Sequence, residues 1–181
     1  MRYGDGAAAV TALTGIDLAI LEHEFVTIVG PSGCGKSTLL YLVGGFLRPT
    51  AGTLLLHGQP ITGPGPDRGI VFQRYSLFPW LTVRGNIGYG LDESGTPRAE
   101  RDRIVDAFVR MVHLEGFEDR YPRELSGGMQ QRVALAQTLA CKPEILLMDE
   151  PFGALDAQTR RLLQDEVRRI WLRDTKTVLF V

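Results

Sequence analysis

Residues 30–38 read Gly30-Pro31-Ser32-Gly33-Cys34-Gly35-Lys36-Ser37-Thr38, which satisfies G-x-x-x-x-G-K-[ST] without a mismatch. The motif follows the apolar run Phe25-Val26-Thr27-Ile28-Val29, five residues rich in β-branched types that predict a buried strand. After it, residues 36–47 are helix-compatible and stop at Arg48-Pro49, where proline forbids continuation. Strand, glycine-rich turn and helix together form a concave nest of backbone N–H groups at a positive helix end, a site for phosphate. In such a nest Lys36 reaches the β/γ-phosphates and the Ser37 hydroxyl ligates Mg²⁺. The 21 glycines among 181 residues exceed ordinary usage, and this cluster accounts for part of the excess.

The rest of the chain extends the same pattern. Thr53-Leu54-Leu55-Leu56 followed by His57-Gly58 predicts a short hairpin, and Gly69-Ile70-Val71-Phe72 a further strand. From 97 to 115 apolar residues Ile104, Val105, Phe108, Val109 and Val112 recur at helical spacing between charged neighbours. Residues 129–140 predict a second helix, the run Ile145-Leu146-Leu147-Met148 a strand buried on both faces, 157–173 a third helix and 177–181 a last strand. Strand–loop–helix units of this kind mean an α/β chain with a mainly parallel sheet, one domain over 1–181.

Composition narrows the class. Hydrophobic residues at 44% and charged residues at 23% exclude a disordered chain, and a net charge of −1 provides no electrostatic footprint for nucleic acid. No stretch has the length of a membrane span, and the N-terminus lacks a signal-peptide pattern. Cys34 and Cys141 do not make a disulfide framework and point to a reducing compartment.

A phosphate nest needs a metal ligand and a base. Asp149-Glu150 directly follows the buried strand, where acids face the ligand crevice of parallel sheets. Asp149 would hold Mg²⁺ and Glu150 would orient and deprotonate an attacking water. A second glycine cluster, Leu125-Ser126-Gly127-Gly128-Met129-Gln130-Gln131, opens the helix that ends near Ala140, with Ser126 as its N-cap. Taken alone it reads either as an ordinary capped helix or as a second anion site.

In this order the motifs resemble the ATP-binding-cassette ATPases over almost the whole chain. Leu125 to Gln131 is similar to that family's signature motif and Ile145 to Glu150 to its Walker B strand. Gln73 resembles the Q-loop glutamine, Ala154-Leu155-Asp156 the D-loop, and Tyr3 the aromatic that stacks on adenine. Read without the resemblance, Gln73 is a polar residue at a strand end and Tyr3 part of a loose terminal segment. The resemblance implies a P-loop NTPase (RecA-like) core with an antiparallel β subdomain and a helical subdomain over residues 73–126. It further implies ATP and Mg²⁺ as ligands, with Ser37, Gln73 and Asp149 at the metal and Glu150 and Gln73 at the reacting water. Ser126, Gly127, Gly128, Gln130 and Asp156 would contact nucleotide across a head-to-tail dimer of two copies.

Within the family, a single nest and the 53-residue interval between Gln73 and Ser126 favour transport over repair-type or translation-type machines. Leu77-Phe78-Pro79-Trp80 resembles importer ATPases of the nitrate/sulfonate/taurine group. That implies a transmembrane permease partner contacted through Phe78, Pro79 and Trp80, a solute-binding protein engaged indirectly, and a place on the cytoplasmic membrane face. Trp80 packed inside the helical subdomain is the structural alternative. The family's histidine after the last core strand would lie beyond Val181, and a strand normally precedes Tyr3, so the chain reads as a cassette truncated at both ends. Two functions stand: an importer's ATPase subunit, or a nucleotide-binding module with little turnover.

Overall fold

A computed structural model describes residues 1–4, 9–73, 76–153, 155–173 and 176–181. The chain divides into two units, one made of Met1–Ile70, Glu144–Asp149 and Lys176–Val181, the other of Val71–Pro143 and Glu150–Thr175. It passes between them at Val71, at Glu144, at the Asp149–Glu150 peptide bond and at Lys176.

The first unit is built on a four-stranded sheet in the order β3 (Phe25–Thr27), β8 (Thr177–Phe180), β7 (Ile145–Met148), β6 (Arg68–Val71). Both β3 with β8 and β7 with β8 are parallel, with Val26 opposite Leu179 and Leu147 opposite Leu179 in the register. Helix α1 (Lys36–Val43) lays Leu40 against Leu147 and Leu179, and Tyr41, Val43 and Ile28 border that core. The helix ends at Gly44-Gly45 instead of continuing to Leu47. Gly45 sits at φ 77°, and a Cβ there would run into the backbone of Gly63, so the turn depends on glycine.

Two antiparallel ribbons complete this unit, β1 (Arg2–Tyr3) with β2 (Val10–Thr11), and β4 (Leu55–Leu56) with β5 (Gln59–Pro60). The second is the anticipated hairpin, turned by His57 and Gly58 at φ 48° and 75°. The first was not legible, and it gives Tyr3 a place in a ladder. One expectation fails in its detail: the run Phe25 to Val29 predicts a buried strand, but β3 lies at the edge of the described sheet and Val29 is 88% exposed. An apolar run looks the same at an edge as at a centre.

The second unit is helical: α2 (Val83–Glu93), α3 (Arg98–Met111), a 3₁₀ turn (Pro122–Glu124), α4 (Gly127–Ala140) and α5 (Ala157–Arg173). Val83, Ile87 and Leu91 from α2 meet Val105 and Val109 from α3 and Val133 and Ala136 from α4 in one dry core. The stripe anticipated on α3 is the face that packs. Among the described residues no helix is long and apolar enough to cross a membrane.

Candidate functional site

The phosphate nest lies wholly in the first unit. Gly33 and Gly35 take φ 81° and 99°, left-handed values that turn successive N–H groups to one side. At Gly35 a Cβ would meet the Ala12 carbonyl oxygen and Leu13 Cδ2, each at 2.7 Å, so both conformation and space require glycine. Gly35 is also the N-cap of α1, and no side chain caps that helix. Its first-turn N–H groups therefore have no intrahelical acceptor and no capping side chain. Lys36 Nζ donates to the Gly30 and Pro31 carbonyl oxygens at 2.9 and 3.0 Å, folded over the loop it would leave for an anion. Cys34 is exposed, with Sγ 4.0 Å from that ammonium.

Behind the nest Ser37 Oγ donates to Asp149 Oδ1 at 2.8 Å, and Tyr41 Oη donates to Oδ2 at 3.1 Å. Asp149 is 1% exposed, and among the described residues no Lys, Arg or His pairs with it. Among the described residues, the side-chain partners of this buried carboxyl are two neutral hydroxyls. Hydroxyl and carboxylate oxygens are the hard donors that suit Mg²⁺, so the residues present fit that ion. Burial, then the negative charge of Asp149, push the Tyr41 hydroxyl above its ordinary pKa. Tyr41 was missed in the sequence. The available signal was its spacing of one helical turn from Ser37. Tyr3 brings its hydroxyl within 3.3 Å of Thr38 Oγ1 while its ring stays 41% exposed.

In the second unit Gln73 Nε2 donates to Glu150 Oε2 at 2.9 Å, which brings together two residues 77 positions apart. Glu150 holds φ 45°, a strained value for a glutamate, and its carbonyl oxygen accepts from Gly153 N at 3.1 Å. Arg160 braces the turn that follows, donating to the Phe152 and Leu155 carbonyl oxygens at 3.3 and 3.0 Å. Ala154 lies outside the described residues.

Ser126 is the N-cap of α4, its Oγ accepting from Met129 N at 3.3 Å. Gln130 Nε2 donates to the Leu125 carbonyl oxygen at 3.1 Å, and Leu155 Cδ2 would lie 3.3 Å from a Cβ on Gly128. Asp156 caps α5, accepting from Gln158 N and Thr159 N at 3.0 and 2.9 Å. The Thr159 hydroxyl, with those N–H groups, holds its carboxyl below the ordinary range. Here the carboxylate faces its own helix.

The aromatic loop resolves the question of Trp80, which is 68% exposed. Phe78 packs 5.6 Å from the Trp80 ring centre and 4.4 Å from that of Tyr89. Fully buried Asn86 fastens the loop, accepting from Phe78 N at 2.8 Å and donating to the Phe78, Leu81 and Thr82 carbonyl oxygens. His57, in the turn of the β4–β5 hairpin, lies 3.0 Å from Glu144 and 3.4 Å from Glu22. The hydrogen bond to Glu144 raises its pKa.

Residues 13–153 match the ABC transporter family. The chain belongs to that family. Among its ABC relatives is an uncharacterized ABC transporter ATP-binding protein of Methanocaldococcus jannaschii, 58% identical over 95% of this chain and 64% of that protein. The nitrate import ATP-binding protein of Synechocystis is 51% identical, covering 96% of this chain and 65% of the relative. The taurine import ATP-binding protein of Roseobacter denitrificans is 48% identical, covering 95% and 64%. This chain thus spans about two thirds of each. A dimeric ABC transporter cassette superimposes with a TM-score of 0.91 at 36% identity, covering 99% of this chain and 83% of the cassette. A second dimeric structure of the same cassette, in a post-hydrolysis state bound to ADP and Pi, gives 0.90 at 35% identity, with the same coverage. The fold is that of the ABC ATPases, a parallel sheet with a P-loop.

Proposed function

We propose that this chain is the ATP-hydrolysing cassette of an importer for a small solute, of the nitrate or taurine type. The observation that carries the reading is the uncapped, left-handed entry to α1 beside a sealed Asp149 held by Ser37. An anion site and a site for a hard cation thereby share one helix.

The residues divide the work. P-loop amides cradle the β- and γ-phosphates, and Lys36 exchanges the carbonyls of Gly30 and Pro31 for phosphate oxygens. Ser37 and Asp149 would hold Mg²⁺, which neutralises charge on the phosphate oxygens when bound, with Gln73 contributing as in the family. Glu150, oriented by the Gln73 amide, takes a proton from water as the water oxygen bonds to the γ-phosphorus. The bond to the bridging oxygen breaks and leaves ADP and phosphate. Tyr3, exposed on its ribbon, offers an adenine platform.

Two copies joined head to tail would bring Ser126, Gly127, Gly128, Gln130 and Asp156 of one to the nucleotide of the other, as the dimeric cassettes support. Ser126 accepts from Met129, so its own hydroxyl proton is available to a phosphate. The exposed Trp80 loop is the contact for a transmembrane permease, which would hold the cassette at the cytoplasmic membrane face and link it indirectly to a solute-binding protein. Residues 73–126 serve as the helical subdomain that carries this loop.

Phosphate release at saturating Mg-ATP tests the reading. Steady release that Glu150→Gln abolishes supports it, whereas no release above that variant's level at any protein concentration refutes hydrolysis.

A further inference from the structure

Asp149 receives one hydroxyl on each carboxylate oxygen, Ser37 on Oδ1 and Tyr41 on Oδ2, both from one face of α1. The two donors differ in standing. Ser37 belongs to the phosphate motif, while Tyr41 lies three residues beyond it, at Thr38-Leu39-Leu40-Tyr41. A carboxylate held at one oxygen can still rotate about its Cβ–Cγ bond, and that terminal torsion is soft. Held at both oxygens, it cannot rotate without breaking a hydrogen bond in a place with no water to replace it, since Asp149 is 1% exposed. The Tyr41 ring is itself set against the Leu40, Leu147 and Leu179 core, so its hydroxyl arrives on a rigid arm.

We propose that Tyr41 is a positioning residue for the magnesium site: its hydroxyl fixes Oδ2 of Asp149 and so keeps Oδ1 aimed at the Ser37 hydroxyl. This inference rests on the reading of Ser37 and Asp149 as the metal ligands. The Tyr41 hydroxyl is spent on Asp149 Oδ2, so in this assignment it acts through Asp149 and not on phosphate or the reacting water. Its effect belongs to metal affinity, not to nucleotide affinity as such, and groups that orient ligands in this way typically account for ~10–100-fold in metal affinity.

The test is a magnesium titration of ATP binding by calorimetry, on the parent chain and on Tyr41→Phe, which removes one oxygen and keeps the ring. Expected is a magnesium midpoint raised roughly 10–100-fold in the variant, with unchanged ATP affinity in EDTA. Midpoints within twofold of each other overturn the inference, as does an equal loss of affinity with and without magnesium, which marks a merely structural role. Tyr41→Leu, which keeps an apolar side chain, provides the second measurement should Tyr41→Phe fold poorly, with the same shift expected and the same outcomes overturning. A parent chain whose ATP affinity ignores magnesium refutes the proposed function instead, and is recognisable because it needs no variant.

Discussion

Helices α1 and α4 both begin at glycine-rich turns, and their first turns are finished in opposite ways. At α1 the N-cap is Gly35 in a left-handed conformation, and no side chain reaches the first-turn N–H groups. At α4 the N-cap is Ser126 in extended conformation, and its hydroxyl oxygen accepts from Met129 N. At Gly35 the left-handed φ and the nearby Ala12 and Leu13 atoms both require glycine, whereas at Gly128 a Cβ would only come 3.3 Å from Leu155 Cδ2. A motif of glycines before a helix therefore does not by itself describe an open anion site; the cap decides.

Replacing Lys36 by Ala tests the open end most severely. The ammonium that folds over Gly30 and Pro31 is lost while the backbone nest remains. Mg-ATP affinity by calorimetry should fall by roughly 10–100-fold, the range of a hydrogen bond to a charged group. Equal affinities would show that the α1 entry is not where phosphate binds.

The two glycines should part company next. Gly35→Ala forces an alanine to φ 99° and its Cβ to within 2.7 Å of the Ala12 carbonyl oxygen, so urea unfolding should show a loss of about 1–3 kcal/mol or more. Gly128→Ala falls in the first turn of α4, where alanine is favoured by at most about 1 kcal/mol, against a 3.3 Å approach to Leu155 Cδ2. It should be nearly neutral, and a loss equal to that of Gly35→Ala would erase the distinction.

Ser126→Ala sharpens the capped side. Removing an N-cap hydroxyl typically costs about 1 kcal/mol, and the same variant in a Glu150→Gln background should weaken any ATP-driven dimer seen by light scattering. A change in stability without a change in assembly would leave Ser126 a cap only.

The smallest effect concerns a third helix start, α5, capped by a charged side chain. The Asp156 carboxyl is depressed foremost by the Thr159 hydroxyl, so the folded state binds its proton more weakly than the unfolded state. That contribution is complete above the unfolded pKa and is lost as pH falls through the folded one. Asp156→Asn, which keeps a neutral cap, should thus lose less thermal stability than the parent between pH 5 and about pH 3. Parallel melting curves would mean that the carboxylate is not acting as the cap.

Much of the site was legible because its chemistry dictates residue types at set spacing. The P-loop could be read from residues 30–38, and Asp149 and Glu150 from the apolar strand before them. Helix α2 was not legible, since Gly85, Gly88 and Gly90 give its eleven residues a poor helix propensity. It forms because Thr82 caps it and because Val83, Ile87 and Leu91 share one buried face. Its glycines admit the Arg101 guanidinium beside Gly88 and the Cys141 sulfur beside Gly90. Packing overrides propensity there.

The sequence alone determined the strand–turn–helix entry, the parallel α/β class, and the two acids at the end of β7. These follow from local rules: the φ that only glycine adopts readily, the period of apolar residues, and the position of charge after a buried run. Tertiary structure decided that Tyr41 shares Asp149 with Ser37, that Gln73 meets Glu150, that Asp156 turns to its own helix and that Trp80 faces solvent. Each of these is set by the partner a side chain finds in space, and several of those partners lie dozens of residues away in the chain.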